Sequence, residues 1–283
     1  MSHALPGGSH LDGPVLLAAF EGWNDAGSAA SLAVAHLTEL WATEQIDELD
    51  PEEYHDFQVN RPQVTIAADG TREIAWPVTT VSVATSADEQ TVVVVQGIEP
   101  SMRWRRYATE ILDAAERLGV RTIVTMGALL ADVPHTRPIP VTATTDDVEL
   151  RERLGLDANS YEGPTGIVGV LQEEARRRGF VTISLWAAVP HYVAHPPSPK
   201  ATLALLTKLE GLWGVPIPMG ELPEEAEAWK AGVDELAGED PEIAEYVAQL
   251  EEAKDTAELP EATGEAIARE FERYLRRRDA PGS

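Results

Sequence analysis

Short apolar runs bounded by glycine or proline alternate with segments of helical period through about residue 218, the pattern of strands joined by crossover helices in an α/β sheet. Residues 14–20 form an unbroken apolar run, too short for a helix, and predict a central strand buried on both faces. Asn24 or Asp25 can cap a helix running to about Trp41, in which Ala29, Ala30, Ala33 and Ala35 permit close packing on the sheet. Strands are then expected at 45–49, 79–84, 92–96, 122–130 and 180–189, with an edge or returning strand at 141–145. Crossover helices are expected at 104–118 and 165–178, each stopped by a glycine, Gly119 and Gly179. Residues 64–66 and 73–76 flank Asp69-Gly70, a hairpin signal, and predict a small antiparallel addition.

Beyond Pro199 the pattern is helical only. Helices are predicted at 200–213, 223–237, 241–255 and 263–278, and the organisation reads as a flexible leader (1–13), an α/β domain (14–218) and an acidic helical region (219–283). From Glu221 onward there are 19 acidic and 7 basic residues, a net of −12. A solvated helical face is the simplest account of that tail, and a docking arm for a basic partner the sharper one. Ile243, Tyr246, Val247 and Leu250 share one helical face, as do Ile267, Phe271, Tyr274 and Leu275, so each helix has an apolar stripe to bury.

Composition narrows the function. The 283 residues carry 48 acidic against 22 basic side chains, a net charge of −26, which argues against affinity for nucleic acid or anionic membrane. With no cysteine, thiolate metal sites, cysteine nucleophiles and disulfides are excluded, and a reducing, cytoplasmic setting is the simplest expectation. No apolar run approaches the roughly 18 residues of a membrane span.

Ligand sites in open α/β sheets gather at the carboxyl ends of strands. Five loops there hold candidate pocket residues. The first, Glu21, Trp23, Asn24 and Asp25, sits ahead of a helix N-terminus, where it offers either an anion site or a plain helix cap. The second and third contribute Gly97 with Glu99, and Gly127. Gly163, Thr165 and Gly166 open another helix; the glycines permit close approach of an anion, but the spacing is no phosphate motif and no lysine follows. Pro190-His191-Tyr192 forms the fifth, and His135 with Arg137 stands in a further proline-bounded loop where His135 can act near neutral pH. His191 and His195 have helical ligand spacing, yet Pro190, Pro196 and Pro197 oppose a helix there, so no metal is expected. No nucleophile elbow and no cofactor motif is present, so no cofactor is expected and catalytic residues are not assigned. Arg103, Arg105 and Arg106 around Trp104 fit ion pairing better than nucleic-acid contact.

In order and spacing, Phe20-Glu21-Gly22-Trp23-Asn24-Asp25-Ala26-Gly27, Pro134-His135-Thr136-Arg137-Pro138, Gly163-Pro164-Thr165-Gly166 and Val189-Pro190-His191-Tyr192-Val193 resemble the proteasome assembly chaperone family in its actinobacterial form. The resemblance covers about residues 14–215. It implies a three-layer α/β sandwich similar to the nucleoside phosphorylase-like fold, with the acidic helical appendage outside it. It also implies relatives that help assemble proteasome α-rings, and a tendency toward trimers. None of the phosphorylases' catalytic residues can be matched here, so fold similarity transfers no chemistry. The leading expectation is a homo-oligomeric protein-binding module with a protein partner, a proteasome-related one by the resemblance. The alternative is an enzyme or small-molecule binder, for an anion or nucleoside-like ligand, using the strand-end loops.

Overall fold

The computed structural model describes residues 10–258; the amino-terminal part of the expected leader and the helix expected at 263–278 lie outside the described residues. Seven strands form one sheet: β1 (Val15–Glu21), β2 (Glu44–Leu49), β5 (Thr79–Thr85), β6 (Thr91–Ile98), β7 (Thr122–Ala131), β8 (Val141–Thr144) and β9 (Val181–Pro190). Their spatial order is β2-β5-β6-β1-β7-β9-β8. The four central strands β6, β1, β7 and β9 run parallel, and β2, β5 and β8 are antiparallel to their neighbours. Two further strands, β3 (Gln63–Ile66) and β4 (Arg72–Ala75), make a separate hairpin at the position the Asp69-Gly70 turn predicts.

The two-sided burial expected of β1 is observed, with Val15, Leu17 and Ala19 in one core and Leu16, Ala18 and Phe20 in the other, all fully buried. Each of the larger side chains contributes about 1.5–3 kcal/mol by leaving water. The first core is closed by α1 (Ala29–Leu40) and α6 (Pro199–Trp213). The second is closed by α3 (Trp104–Arg117) and α5 (Ile167–Arg177), giving a helix–sheet–helix sandwich. In α3 the buried Tyr107, Ala108, Ile111, Leu112 and Ala115 recur at three- and four-residue steps, so a single stripe meets the sheet. Arg106 and Arg103 pair with Glu53, and Arg106 with Glu110, so two of the arginines around Trp104 do form ion pairs.

Two short helices were not expected: α2 (Pro51–Tyr54), capped by Asp50, and α4 (Val148–Leu154), capped by Asp147. The acidic tail forms α7 (Leu222–Glu239) and α8 (Pro241–Glu258). α7 packs against α6, and α8 against α7. Among the described residues, no helix is long and apolar enough to cross a membrane.

Candidate functional site

The strand-end loops divide into two groups. The first forms where β1 ends. Gly22, with φ +113, turns the chain so that Asp25 N–H reaches the Gly22 carbonyl at 3.1 Å. Ala128 N–H then donates to the Asn24 carbonyl at 2.8 Å, tying the loop to β7. Asn24, 1% exposed, donates through Nδ2 to Glu99 Oε1 at 2.7 Å. The same Glu99 oxygen accepts the Ile167 N–H at 2.8 Å, so the N-terminus of α5 is satisfied by a carboxylate of this chain. The N-terminus of α1 is treated alike: Asp25 accepts from Ala30 N–H at 2.7 Å and Ser31 N–H at 3.3 Å. Of the two caps the sequence offered, Asp25 fills the role, and Asn24 is turned toward Glu99.

Burial and charge act on these groups together. Desolvation raises the carboxyl pKa of Glu21, and the neighbouring Asp25 raises it further. Asp25 is raised by desolvation too, against the pull of its bonds from Ser31 and Ala30. Asn24 Oδ1 is buried without a hydrogen-bond partner, and a Cβ on Gly166 would stand 2.0 Å from it. Gly166 therefore gives room to the Asn24 amide. Other candidate glycines also hold neighbours: a Cβ on Gly97 would meet Thr79 Oγ1 at 2.4 Å, and one on Gly127 would meet the Trp186 ring at 2.7 Å. Gly163 lies beneath Tyr161, whose hydroxyl donates to the Pro164 carbonyl at 2.8 Å. Thr165 is exposed, with Oγ1 packed against Gly169 in the first turn of α5.

The second group is built from His135, Arg137, His191 and Tyr192, and it faces the acidic helices. His135 Nε2 lies 2.9 Å from Asp234 Oδ1 on α7, and Nδ1 lies 2.8 Å from the Tyr192 hydroxyl. A carboxylate only accepts, so Nε2 carries the proton, and Nδ1 accepts from Tyr192. Tyr192 in turn accepts the His135 backbone N–H at 2.7 Å. Burial lowers the His135 pKa, which favours this neutral imidazole, although Asp234 opposes the shift.

Arg137 grips α8. It donates to both Asp255 oxygens at 2.9 and 2.8 Å and to Glu251 at 3.1 Å, while Thr136 Oγ1 also donates to Glu251. These partners hold Asp255 below, and Arg137 above, their ordinary pKa values. Lys200 Nζ donates to the carbonyls of Arg137, at 2.8 Å, and His135, fixing the loop from below. His191 Nδ1 and the Tyr246 hydroxyl both lie 3.1 Å from Asp132 Oδ1, and the His191, Tyr192 and Tyr246 rings meet edge-on.

Asp132, Lys200, Asp234, Tyr246, Glu251 and Asp255 were absent from the sequence-based candidates. The available signal was charge: His135 and Arg137 stand in a short loop of a chain whose tail is strongly acidic. Part of that tail is spent within the chain, on these two residues. Around both groups, Trp23 is 67% exposed, Leu129 45% and Leu130 50%. A cleft of about 260 Å³ between Leu11, Arg121, Asp147, Arg153 and Val181 lies at the opposite, amino-terminal ends of the strands, and no candidate loop residue lines it. Among the described residues no three His, Asp or Glu side chains converge as a metal-ligand set.

Comparison with curated proteins gives no match. Among solved structures, a PAC2 family protein from Streptomyces avermitilis is 56% identical, with a TM-score of 0.77 over 83% of this chain and 99% of that one. A proteasome-assembly chaperone homologue from Mycobacterium tuberculosis is 48% identical, with a TM-score of 0.75 over 82% of this chain and 99% of that one. An archaeal proteasome activator from Pyrococcus furiosus shares the fold at 20% identity, with a TM-score of 0.63 over 80% of this chain and 94% of that one. Residues 19–237 match the PAC2 family, and on that match and these relatives the chain belongs to the PAC2 family.

Proposed function

We propose that this chain is a cytoplasmic protein-binding module of the proteasome-assembly type, working as a homo-oligomer, three copies in the form its sequence resemblance implies. It engages a proteasome-related protein through the rim at the carboxyl ends of β1 and β7. One observation carries the reading: Asp25 and Glu99 already occupy the N-termini of α1 and α5 at this end of the sheet, while Trp23, Leu129 and Leu130 stand exposed there. Helix N-termini so filled offer an incoming anion little, whereas apolar side chains exposed at one end of a sheet suit a protein surface. The 48% identical relative from Mycobacterium tuberculosis is a proteasome-assembly chaperone homologue, which supports the partner class.

The test is binding of the purified chain to actinobacterial proteasome α-subunits by interferometry. Binding that Leu130→Asp weakens on the order of tenfold or more, at an unchanged melting temperature, is the expected result. Absence of binding, together with a melting temperature raised by nucleosides or phosphate and a rise lost in Glu21→Ala or His191→Ala, would replace the proposal with the small-molecule reading.

A further inference from the structure

α8 lies over the loops that carry Arg137, His191 and Tyr192, with little of itself buried. α7 packs on α6 and buries Ala226, Val233 and Ala237, whereas among the described side chains of α8 only Val247 is buried. The hold of α8 on the domain is polar: Asp255 and Glu251 on Arg137, Glu251 on Thr136, and Tyr246 on Asp132. The Tyr246 ring adds edge-on contacts to His191 and Tyr192, with centroids 5.5 and 6.0 Å apart. Exposed ion pairs and hydrogen bonds of this kind weigh little against water. Asp240, extended at φ −116 and ψ 108, breaks the chain between the two helices, and its side chain caps α8 by accepting the Glu242 N–H at 2.9 Å. A turn about this one residue therefore lifts α8 as a capped unit and leaves α7 seated on α6.

What α8 covers identifies what can replace it. The helix carries six acidic residues and one lysine, and it presents Tyr246, then Glu251 and Asp255 one turn apart. The forked guanidinium of Arg137 takes both carboxylates, and the rings of His191 and Tyr192 take the tyrosine. A basic segment would find Arg137 repulsive and would be drawn to α8 itself, so the surface beneath suits an acidic occupant. It also continues the exposed rim, since Leu129 and Leu130 run along β7 into Asp132, the residue that Tyr246 and His191 share. We propose that α8 is a built-in occupant of a docking surface, which the protein partner claims by displacing it with an acidic helix of its own. That helix presents an aromatic side chain to His191 and Tyr192 and two carboxylates one turn apart to Arg137. The inference rests on the protein-binding reading above and adds to it the chemistry of the partner's segment and a closed state in which the chain covers its own site.

The probe is a labelled synthetic peptide with the sequence of residues 241–258, read by fluorescence anisotropy. It is titrated with the full chain, with the full chain carrying Glu251→Lys and Asp255→Lys, and with that double variant carrying Arg137→Ala as well. Only molecules with α8 lifted can bind, so closure in about nine of ten lowers the apparent affinity about tenfold. The double variant is therefore expected to take the peptide about tenfold more tightly than the parent or better, with the gain lost on adding Arg137→Ala and the melting temperature unchanged throughout. If the double variant unfolds early, Glu251→Gln with Asp255→Asn removes the charges at nearly constant shape, and the same comparison decides. Amide exchange that shows α8 released, with peptide binding no tighter than in the parent, would overturn the docking surface. Unchanged protection over 241–256 would overturn the closure by Glu251 and Asp255. A chain that takes the peptide as expected but binds no proteasome α-subunit supports this surface and overturns the partner class alone.

Discussion

The group around Asn24 and the group around His135 draw on the same side-chain chemistry in opposite ways. In the first, Glu99 and Asp25 turn inward onto backbone N–H groups, and the acceptors and donors are sealed under the loop. In the second, Asp234, Glu251 and Asp255, carboxylates open to water, reach across about a hundred residues of sequence to the buried His135 and the partly exposed Arg137. A buried bond is costly to leave unmade, whereas an exposed ion pair is worth little and is screened by salt. The Asn24 group should therefore govern whether the domain folds, and the tail anchor whether α7 and α8 stay on it.

The largest effect that could break this comparison is expected from Gly166→Ala. The added Cβ collides with Asn24 Oδ1, and thermal or urea unfolding should report a loss of about 1–3 kcal/mol; a neutral result would mean that the loop gives way. Glu99→Ala strands Asn24 Nδ2 and the Ile167 N–H, with an expected loss of about 2 kcal/mol by the same measurement. His135→Ala removes a buried ring hydrogen-bonded to Tyr192 and Asp234 and should cost about 1–2 kcal/mol while raising amide exchange along α7. The smallest global effect belongs to Arg137→Ala: α8 should lose exchange protection over 241–256 with little change in melting temperature, and high salt should do the same to the parent chain. Equal loss of protection in the central strands would erase the distinction.

Acidity sharpens the contrast, since the two groups respond with opposite sign. Glu21 and Asp25 are raised, so the folded chain holds more protons than the unfolded one just above the ordinary carboxylate range of about 4, and stability contributed there falls as pH climbs through that window. Asp234 and Asp255 are lowered, so their stabilisation is present above that range and is lost as pH falls below it. His135 is also lowered, which extends the acid-side loss up to its ordinary value of about 6.5. Denaturant titrations across pH should show the first trend shrinking in Asp25→Asn and the second in Arg137→Ala.

Much of the fold could be read from the chain because its central strands are buried on both faces and so appear as unbroken apolar runs, as in Val92 to Val95. The helices α2 and α4 escaped because one or two turns carry no period, and their caps, Asp50 and Asp147, stand among many acidic residues. The candidate loops were legible as strand ends, but their division was not. Which loops face one another depends on β7 lying between β1 and β9, a fact of strand order that local pattern does not contain. Gly97 and Gly127 show the same limit. Glycine signals close approach without saying to what, and here the neighbours are Thr79 and Trp186.

The carboxylates of Glu99 and Asp25 can also be viewed as tethered ligands. A free phosphate reaching the N-terminus of α5 competes with an anion whose local concentration is set by the length of the chain and not by the cell, a millimolar or higher effective value for short connections. A fold whose geometry invites anions at these positions can thus be kept empty of metabolites by a single well-placed side chain. Reversing that exchange, with Gly or Ala at position 99, is the shortest route from this surface to a small-molecule receptor.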